Sequence, residues 1–255
     1  MATPKPDILI VCGAWHVPAN YDKLRGLLES QGLTVHVPHL PTVNCSRPPT
    51  VDMYTDSDLI AKNVTDIADA GRSIVVLMHS YGGMVGTNGL SELGFETRQQ
   101  QGLPGGVTRL IYMTASAHLE GESMMDIVEE FGQINLIPLA FDFAEDQTCV
   151  STHPRELVVG PGLPEEELEN YVKLLVRWNG NGMYATLKHS AWRKIPVTYI
   201  LTTKDMTLPY DYQKRMISTM EAEGREIQQF TLESGHCPNI THAEEVAKII
   251  DEVLV

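Results

Sequence analysis

The chain has 255 residues, of which 43% are hydrophobic and 20% charged, and its formal net charge is -14. That composition suits a single globular domain with a sizeable core. The acidic balance argues against nucleic acid or an anionic membrane surface as partner, and no apolar run approaches the roughly 20 residues that span a bilayer.

In chain order, Met1–Asp7 lack the long apolar segment of a signal peptide. Asp7–Cys12 reads as a strand. Pro18–Ser30 reads as a helix with Tyr21, Leu24, Leu27 and Leu28 on one face and Gly32 as its stop. Leu33–Val37 is a second strand, and the Pro-, Ser- and Thr-rich stretch Pro38–Met53 a long loop. Thr55–Ala70 places Leu59, Ile60, Val64, Ile67 and Ala68 on one helical face. Ser73–Met78 is the third strand, nearly all apolar, as expected of a parallel strand covered on both sides. Tyr81–Leu93 follows as a helix, Glu96–Gly106 as a surface loop and Val107–Met113 as the fourth strand. Ile195–Leu201 is the fifth strand, Tyr210–Glu223 a helix and Glu226–Leu232 the sixth strand. The last helix opens with Thr241 and Glu244 in capping-box spacing. This alternation predicts an α/β fold with a doubly wound, mostly parallel six-stranded sheet.

Residues 118–193 interrupt the alternation between the fourth and fifth strands and contain no clear strand. Within them, Leu163–Trp178 has a leading proline, an acidic first turn, and Leu168, Tyr171, Val172 and Leu175 at helical spacing. The block reads as a mostly helical cap over the carboxyl edge of the sheet, inserted in a single domain spanning 1–255. Cys12, Cys45, Cys149 and Cys237 show no paired spacing. They read as free thiols in a reducing compartment, a cytoplasmic setting, rather than as a disulfide frame or zinc site.

The chemistry centres on the third strand. It runs into His79-Ser80-Tyr81-Gly82-Gly83, the layout of a nucleophile elbow, in which a sharp strand-to-helix turn lifts a serine above the sheet. Met78 stands where Gly-x-Ser-x-Gly has its first glycine. A serine nucleophile needs a base, and the base needs an orienting acid. Asp205 follows the fifth strand and His236 follows the sixth, so Ser80, Asp205 and His236 occur in the order Ser, Asp, His, each after a strand. An acyl-transfer site also needs oxyanion donors. The backbone N–H of Tyr81 is one candidate, and that of Ala14, in the loop Cys12-Gly13-Ala14-Trp15-His16 after the first strand, is the second. Trp15 and His16 either line the site or pack at its mouth.

Gly-Ala-Trp-His after the first strand, His-Ser-Tyr-Gly-Gly at the elbow, the late aspartate and the Gly-His near the end resemble the α/β-hydrolase superfamily over essentially the whole chain. The pattern is most similar to the compact branch of plant methylester esterases, hydroxynitrile lyases and their fungal relatives. The resemblance implies a helical cap where the insertion lies, no cofactor and no metal. It carries Ser80, Asp205 and His236 over as the catalytic triad and Ala14 and Tyr81 as oxyanion donors. Cys12 stands where a histidine often precedes the glycine of the oxyanion loop. Hydroxynitrile lyases of this branch carry a threonine at the position of Gly13 and a lysine after the catalytic histidine, where this chain has Cys237.

The expectation is therefore a serine hydrolase acting on a carboxylic ester or lactone of a small apolar molecule. C–C bond cleavage by the same triad and a small-molecule receptor on a hydrolase frame are the alternatives. Met124, Met125, Phe131, Phe141, Phe143 and Trp178 are candidate wall residues of the pocket, and Met78 a candidate for shaping its floor. The sequence is compatible with a homodimer and leaves the oligomeric state open.

Overall fold

A computed structural model of the protein describes residues 5–254; the first four residues, read above for a leader, lie outside them. Six strands form the central sheet: β1 (Asp7–Val11), β2 (Val35–His36), β3 (Ser73–Ser80), β4 (Gly106–Ala115), β8 (Val197–Thr202) and β9 (Ile227–Leu232). Their spatial order is β2-β1-β3-β4-β8-β9, and every pairing is parallel. The central strands are apolar because both faces are covered; Ile8, Leu9, Ile10 and Val11 are all fully buried.

Helix α1 (Asp22–Ser30) connects β1 to β2 on one side of β1. Helices α2 (Met53–Asp69) and α3 (Gly82–Gly89) carry the chain to β3 and β4 in the opposite direction. Right-handed crossovers therefore place α1 on one face and α2 and α3 on the other. The C-terminal helix α10 (Ala243–Val253) packs on α1, and α2 packs on α3. Helix α8 (Tyr210–Ala222) joins β8 to β9. The start of α2 is set by Asp52, whose side chain accepts from the Thr55 N–H while the Thr55 hydroxyl takes the Asp52 N–H, a reciprocal cap.

Three expectations are corrected. The stretch 96–106 is not all loop: Phe95–Gln100 forms α4. Its Arg98 is buried, with its guanidinium bonded to Asp69 at 2.6 Å and to the Pro104 carbonyl. The last helix begins at Ala243 rather than at a Thr241 cap, because the Thr241 hydroxyl is engaged by Ser234 and the Cys237 carbonyl at the end of the short helix α9 (Pro238–Thr241).

The third correction concerns the cap. Residues 118–193 do lie between β4 and β8, but they hold a second sheet among their helices. Strands β5 (Phe141–Phe143), β6 (Thr148–Ser151) and β7 (Trp178–Asn179) pair antiparallel in that order. Around them lie α5 (Met124–Glu130), α6 (Ile137–Ala140) and α7 (Glu165–Lys173). Strands this short carry too few residues for an alternating pattern to stand out. The helix expected over Leu163–Trp178 accordingly stops at Lys173, and Trp178 is in β7.

Candidate active site

In an open parallel sheet, ligands bind at the carboxyl ends of strands where the strand order reverses. Here that point lies between β1 and β3. Ser80 ends β3, and the loop Gly13-Ala14-Trp15 leaves β1 beside it. Ser80 has φ +55°, the left-handed region that non-glycine residues rarely enter. Trp15 (φ +64°) and Thr114 (φ +40°) share this feature. Strained backbone of this kind costs on the order of 1–3 kcal/mol per residue and collects at functional sites. Gly82 opens α3 directly over the end of β1, where any Cβ would meet the Val11 carbonyl. The glycine thus permits the sharp turn that presents Ser80.

The structure brings the three predicted residues together. His236 Nε2 accepts from the Ser80 hydroxyl at 2.8 Å, and His236 Nδ1–H donates to Asp205 Oδ2 at 2.7 Å. Asp205 is held on all sides: Oδ1 accepts the backbone N–H groups of Thr207 and Leu208, both at 2.8 Å, and Oδ2 accepts the hydroxyls of Thr114 and Thr202. All three residues are buried, Ser80 remaining 5% exposed.

Behind them runs a second chain of hydrogen bonds. The Gly13 N–H donates to the Tyr21 hydroxyl at 2.9 Å, and that hydroxyl donates to His79 Nδ1 at 2.7 Å. His79 Nε2–H then donates to the His236 carbonyl at 2.7 Å. The loop after β1 and the backbone of His236 are therefore tied through one phenol and one imidazole. Burial pushes the His79 pKa well below its ordinary value, with the nearby His236 and His16 adding to the effect, so the ring is a neutral strut.

His16 belongs to this layer rather than to the cavity wall. Its Nδ1–H donates to the Ala14 carbonyl at 2.6 Å, and its ring packs among Tyr21, His79 and Tyr171. Burial lowers its pKa to about 3. Neither reading open for His16, lining the site or packing at its mouth, describes its place: it is absent from the cavity wall, and its bond to Ala14 turns the ring inward. Tyr81 likewise directs its side chain away, donating to Asp56 Oδ2 at 2.9 Å. Trp15 does line the site, held by a bond from Nε1–H to the Cys149 carbonyl and stacked on Phe141 at 5.3 Å.

A cavity opens over Ser80. The body contributes Ala14, Trp15, Ser116, Thr207, Leu208 and Tyr212, and the cap contributes Met124, Met125, Ile127, Val128, Ile137, Phe141 and Met183. No charged side chain is among its lining residues. A more open depression shares Val128, Ile137, Phe141, Thr207 and Tyr212 with it and extends past the exposed Leu136 and Met206. Of the expected wall residues, Met124, Met125 and Phe141 are present. Phe131 instead sits at the surface against Tyr212, and Trp178 is buried with its Nε1–H on Thr42. Phe143 packs against Gly180. Met78 does not shape the floor. It is fully buried toward α3, where a Cβ on Gly86 would collide with its sulfur.

A family model described as the alpha/beta hydrolase family matches residues 8–249. The chain belongs to the α/β-hydrolase family. It is 29% identical over 252 residues to a protein of a Phoma species called probable hydrolase R7, covering 98% of each. It is 26% identical over 251 residues to the alpha/beta hydrolase nvfD of Aspergillus novofumigatus, covering 96% of this chain and 95% of the other. The crystal structure of polyneuridine aldehyde esterase superposes with a TM-score of 0.77 at 18% identity, over 98% of this chain and 99% of that one; it shows the shared fold. Among the described residues of this hydrolase-family chain, no group of three or more His, Cys, Asp or Glu is arranged to hold a metal ion. No helix among them is long and apolar enough to cross a membrane.

Sequence reasoning missed Tyr21, Thr114, Ser116 and Thr207. Tyr21 was read only as part of an apolar helix face. His79 carried a signal, its place beside Ser80 in a strand with no other polar interior residue, but its partners come from distant segments.

Proposed function

We propose that the protein is a serine hydrolase that cleaves a carboxylic ester or lactone of a small, uncharged apolar molecule through an acyl-enzyme. The observation that carries this reading is the hydrogen-bonded series Ser80–His236–Asp205 at the floor of a cavity without charged lining residues. In the proposed reaction, His236 Nε2 takes the Ser80 proton as Oγ attacks the carbonyl carbon. Asp205 keeps the proton on Nδ1 and stabilises the imidazolium. The N–H groups of Ala14 and Tyr81 receive the oxyanion, and removing one such donor typically costs about 100- to 1000-fold in rate. The imidazolium protonates the departing alcohol. A water molecule, deprotonated by the same imidazole, then releases the acid from Ser80. The esterase name of a structural neighbour and the hydrolase names of both curated relatives support this reading.

Cys237 favours hydrolysis over cyanohydrin cleavage. A lyase must stabilise a departing cyanide anion, and a cation beside the histidine would do so. Here the following side chain is a buried thiol donating to the Val158 carbonyl, with its pKa pushed up by burial. The test is hydrolysis of short p-nitrophenyl esters by the purified protein and by Ser80→Ala. Wild-type turnover with its loss in the variant is the expected result; full activity in Ser80→Ala overturns the acyl-enzyme.

A further inference from the structure

The cavity over Ser80 is lined by four hydroxyl side chains, those of Ser80, Ser116, Thr207 and Tyr212. Three are engaged. Ser80 donates to His236, Thr207 to the Leu157 carbonyl at 2.6 Å, and Tyr212 to Gln133 Oε1 at 2.6 Å. The fourth, Ser116 Oγ, is buried and has no hydrogen-bond partner among the described residues, although the residue is only 1% exposed. A buried hydroxyl without a partner is unfavourable and calls for an explanation.

Ser116 is not free to turn elsewhere. Its N–H donates to the Ser80 carbonyl at 3.1 Å. Its own carbonyl sits against Gly83 in the first turn of α3, where any Cβ would strike it. The backbone is thus clamped between the end of β3 and α3, which holds Ser116 among the residues lining the cavity, beside the nucleophile. Every other wall residue is either apolar or already bonded through its polar atom, including Trp15 through Nε1.

Resting on the ester-hydrolase reading, we propose that Ser116 is the substrate-orienting hydroxyl of this cavity. It hydrogen-bonds a neutral oxygen carried by the acyl part of the substrate next to the scissile carbonyl, on the α or β carbon. The substrate class is then an apolar α- or β-oxygenated ester or lactone rather than a plain alkyl ester. A carboxylate or ammonium beside the scissile bond is disfavoured, because the wall offers no opposite charge and its burial would go uncompensated. A hydroxyl suits the task because it both donates and accepts, so it serves a ketone, an ether or an alcohol. A site built to pair a substrate oxygen also discriminates against analogues that lack it.

The test compares p-nitrophenyl 3-hydroxybutyrate with p-nitrophenyl butyrate in wild type and Ser116→Ala. Wild type is expected to prefer the hydroxylated ester. Ser116→Ala is expected to lose about ten- to a hundredfold in kcat/KM on that ester and less than about twofold on butyrate, erasing the preference. Equal loss on both esters, or no loss on either, overturns the proposal. Thermal melting supplies a check independent of substrate: deleting a hydroxyl that has no partner leaves Tm unchanged or raises it, whereas a clear fall in Tm reveals a structural role and also overturns the proposal. If wild type hydrolyses neither ester, the ester-hydrolase reading fails by itself. Binding of methyl 3-hydroxybutyrate against methyl butyrate to Ser80→Ala, with and without Ser116→Ala, then decides on Ser116: a preference lost with the hydroxyl supports it, and no preference overturns it.

Discussion

The two halves of the cavity are built on different principles. The α/β body supplies the groups that can exchange protons, and nearly all of them are held by several bonds: Asp205 by four besides His236, and His236 through both ring nitrogens and its carbonyl. The cap supplies Met124, Met125, Ile137, Phe141 and Met183, all residues with apolar side chains. Three of these are methionines, unbranched side chains that adapt to irregular shapes. The body therefore sets the chemistry with narrow tolerance, and the cap sets the fit with wide tolerance. On the proposed function, changes to the body should act on kcat and changes to the cap on substrate choice.

The sharpest way to break this contrast is Asp205→Asn. The amide would face the donors that now meet a carboxylate and would favour the wrong imidazole tautomer, so kcat is expected to fall by about 10,000-fold. A loss under tenfold would mean that Asp205 is not the orienting acid. Gly86→Ala tests packing behind the site. Its methyl enters the space of the Met78 sulfur, and overpacking of this kind costs about 1–3 kcal/mol. A thermal melt measures the loss, while kcat in the folded fraction stays near wild type, since Met78 does not reach the cavity.

Tyr21→Phe sharpens the comparison within the body. It leaves the Gly13 N–H and His79 Nδ1 without their shared partner, at a cost of about 1–3 kcal/mol. The loop after β1 and the backbone of His236 would lose their common brace, lowering kcat by about tenfold with KM little changed. An unchanged kcat would show that the brace is dispensable for geometry.

Acid tests the same layer. His16 and His79 are held neutral by burial, His16 with a pKa of about 3. In the unfolded chain they charge below about pH 6.5. The unfolded state then binds more protons, so stability falls as the pH drops below that value. Asp56 acts in the opposite sense: burial raises its pKa to about 6, so the folded state takes up its proton first and gains stability as pH falls from 6 toward 4. Two imidazoles outweigh one carboxyl, leaving a net loss of roughly 1 kcal/mol per pH unit in that range. Urea unfolding at pH 7, 6 and 5 checks this; a flat profile would mean that the two rings are charged in the fold.

The smallest effect is expected in the cap. Phe141→Ala removes the ring stacked on Trp15 and should raise KM for a bulky ester by about three- to tenfold. Turnover of an acetate ester should hardly move. A large fall in kcat on acetate would show that the cap also positions the reacting groups.

What was legible in the sequence follows the same division. The central strands could be read because a parallel strand covered on both faces is a short, nearly unbroken apolar run, and Ser73–Met78 has that form. Ser80, Asp205 and His236 could be picked out because each follows a strand, and parallel strands deliver their ends to one edge. The cap was legible as an interruption, but its sheet was not: three strands of a few residues each exist only through pairing with one another. Helix α4 escaped notice because its anchor is a buried arginine, a residue that reads as surface until Asp69 and the Pro104 carbonyl are brought to it.

Local pattern by itself determined the order of the elements and the identity of the three residues at the strand ends. Only the tertiary structure decided where side chains end up: that Met78 points to Gly86 rather than into the cavity, that His16 turns inward, and that Ser116 lines the cavity with its hydroxyl unpartnered among the described residues. The reason is physical. A strand's position follows from the free energy of covering its own apolar surface, which its residues carry with them. A side chain's direction depends on which distant groups offer it space or a hydrogen bond, and those are assembled only when the chain is folded.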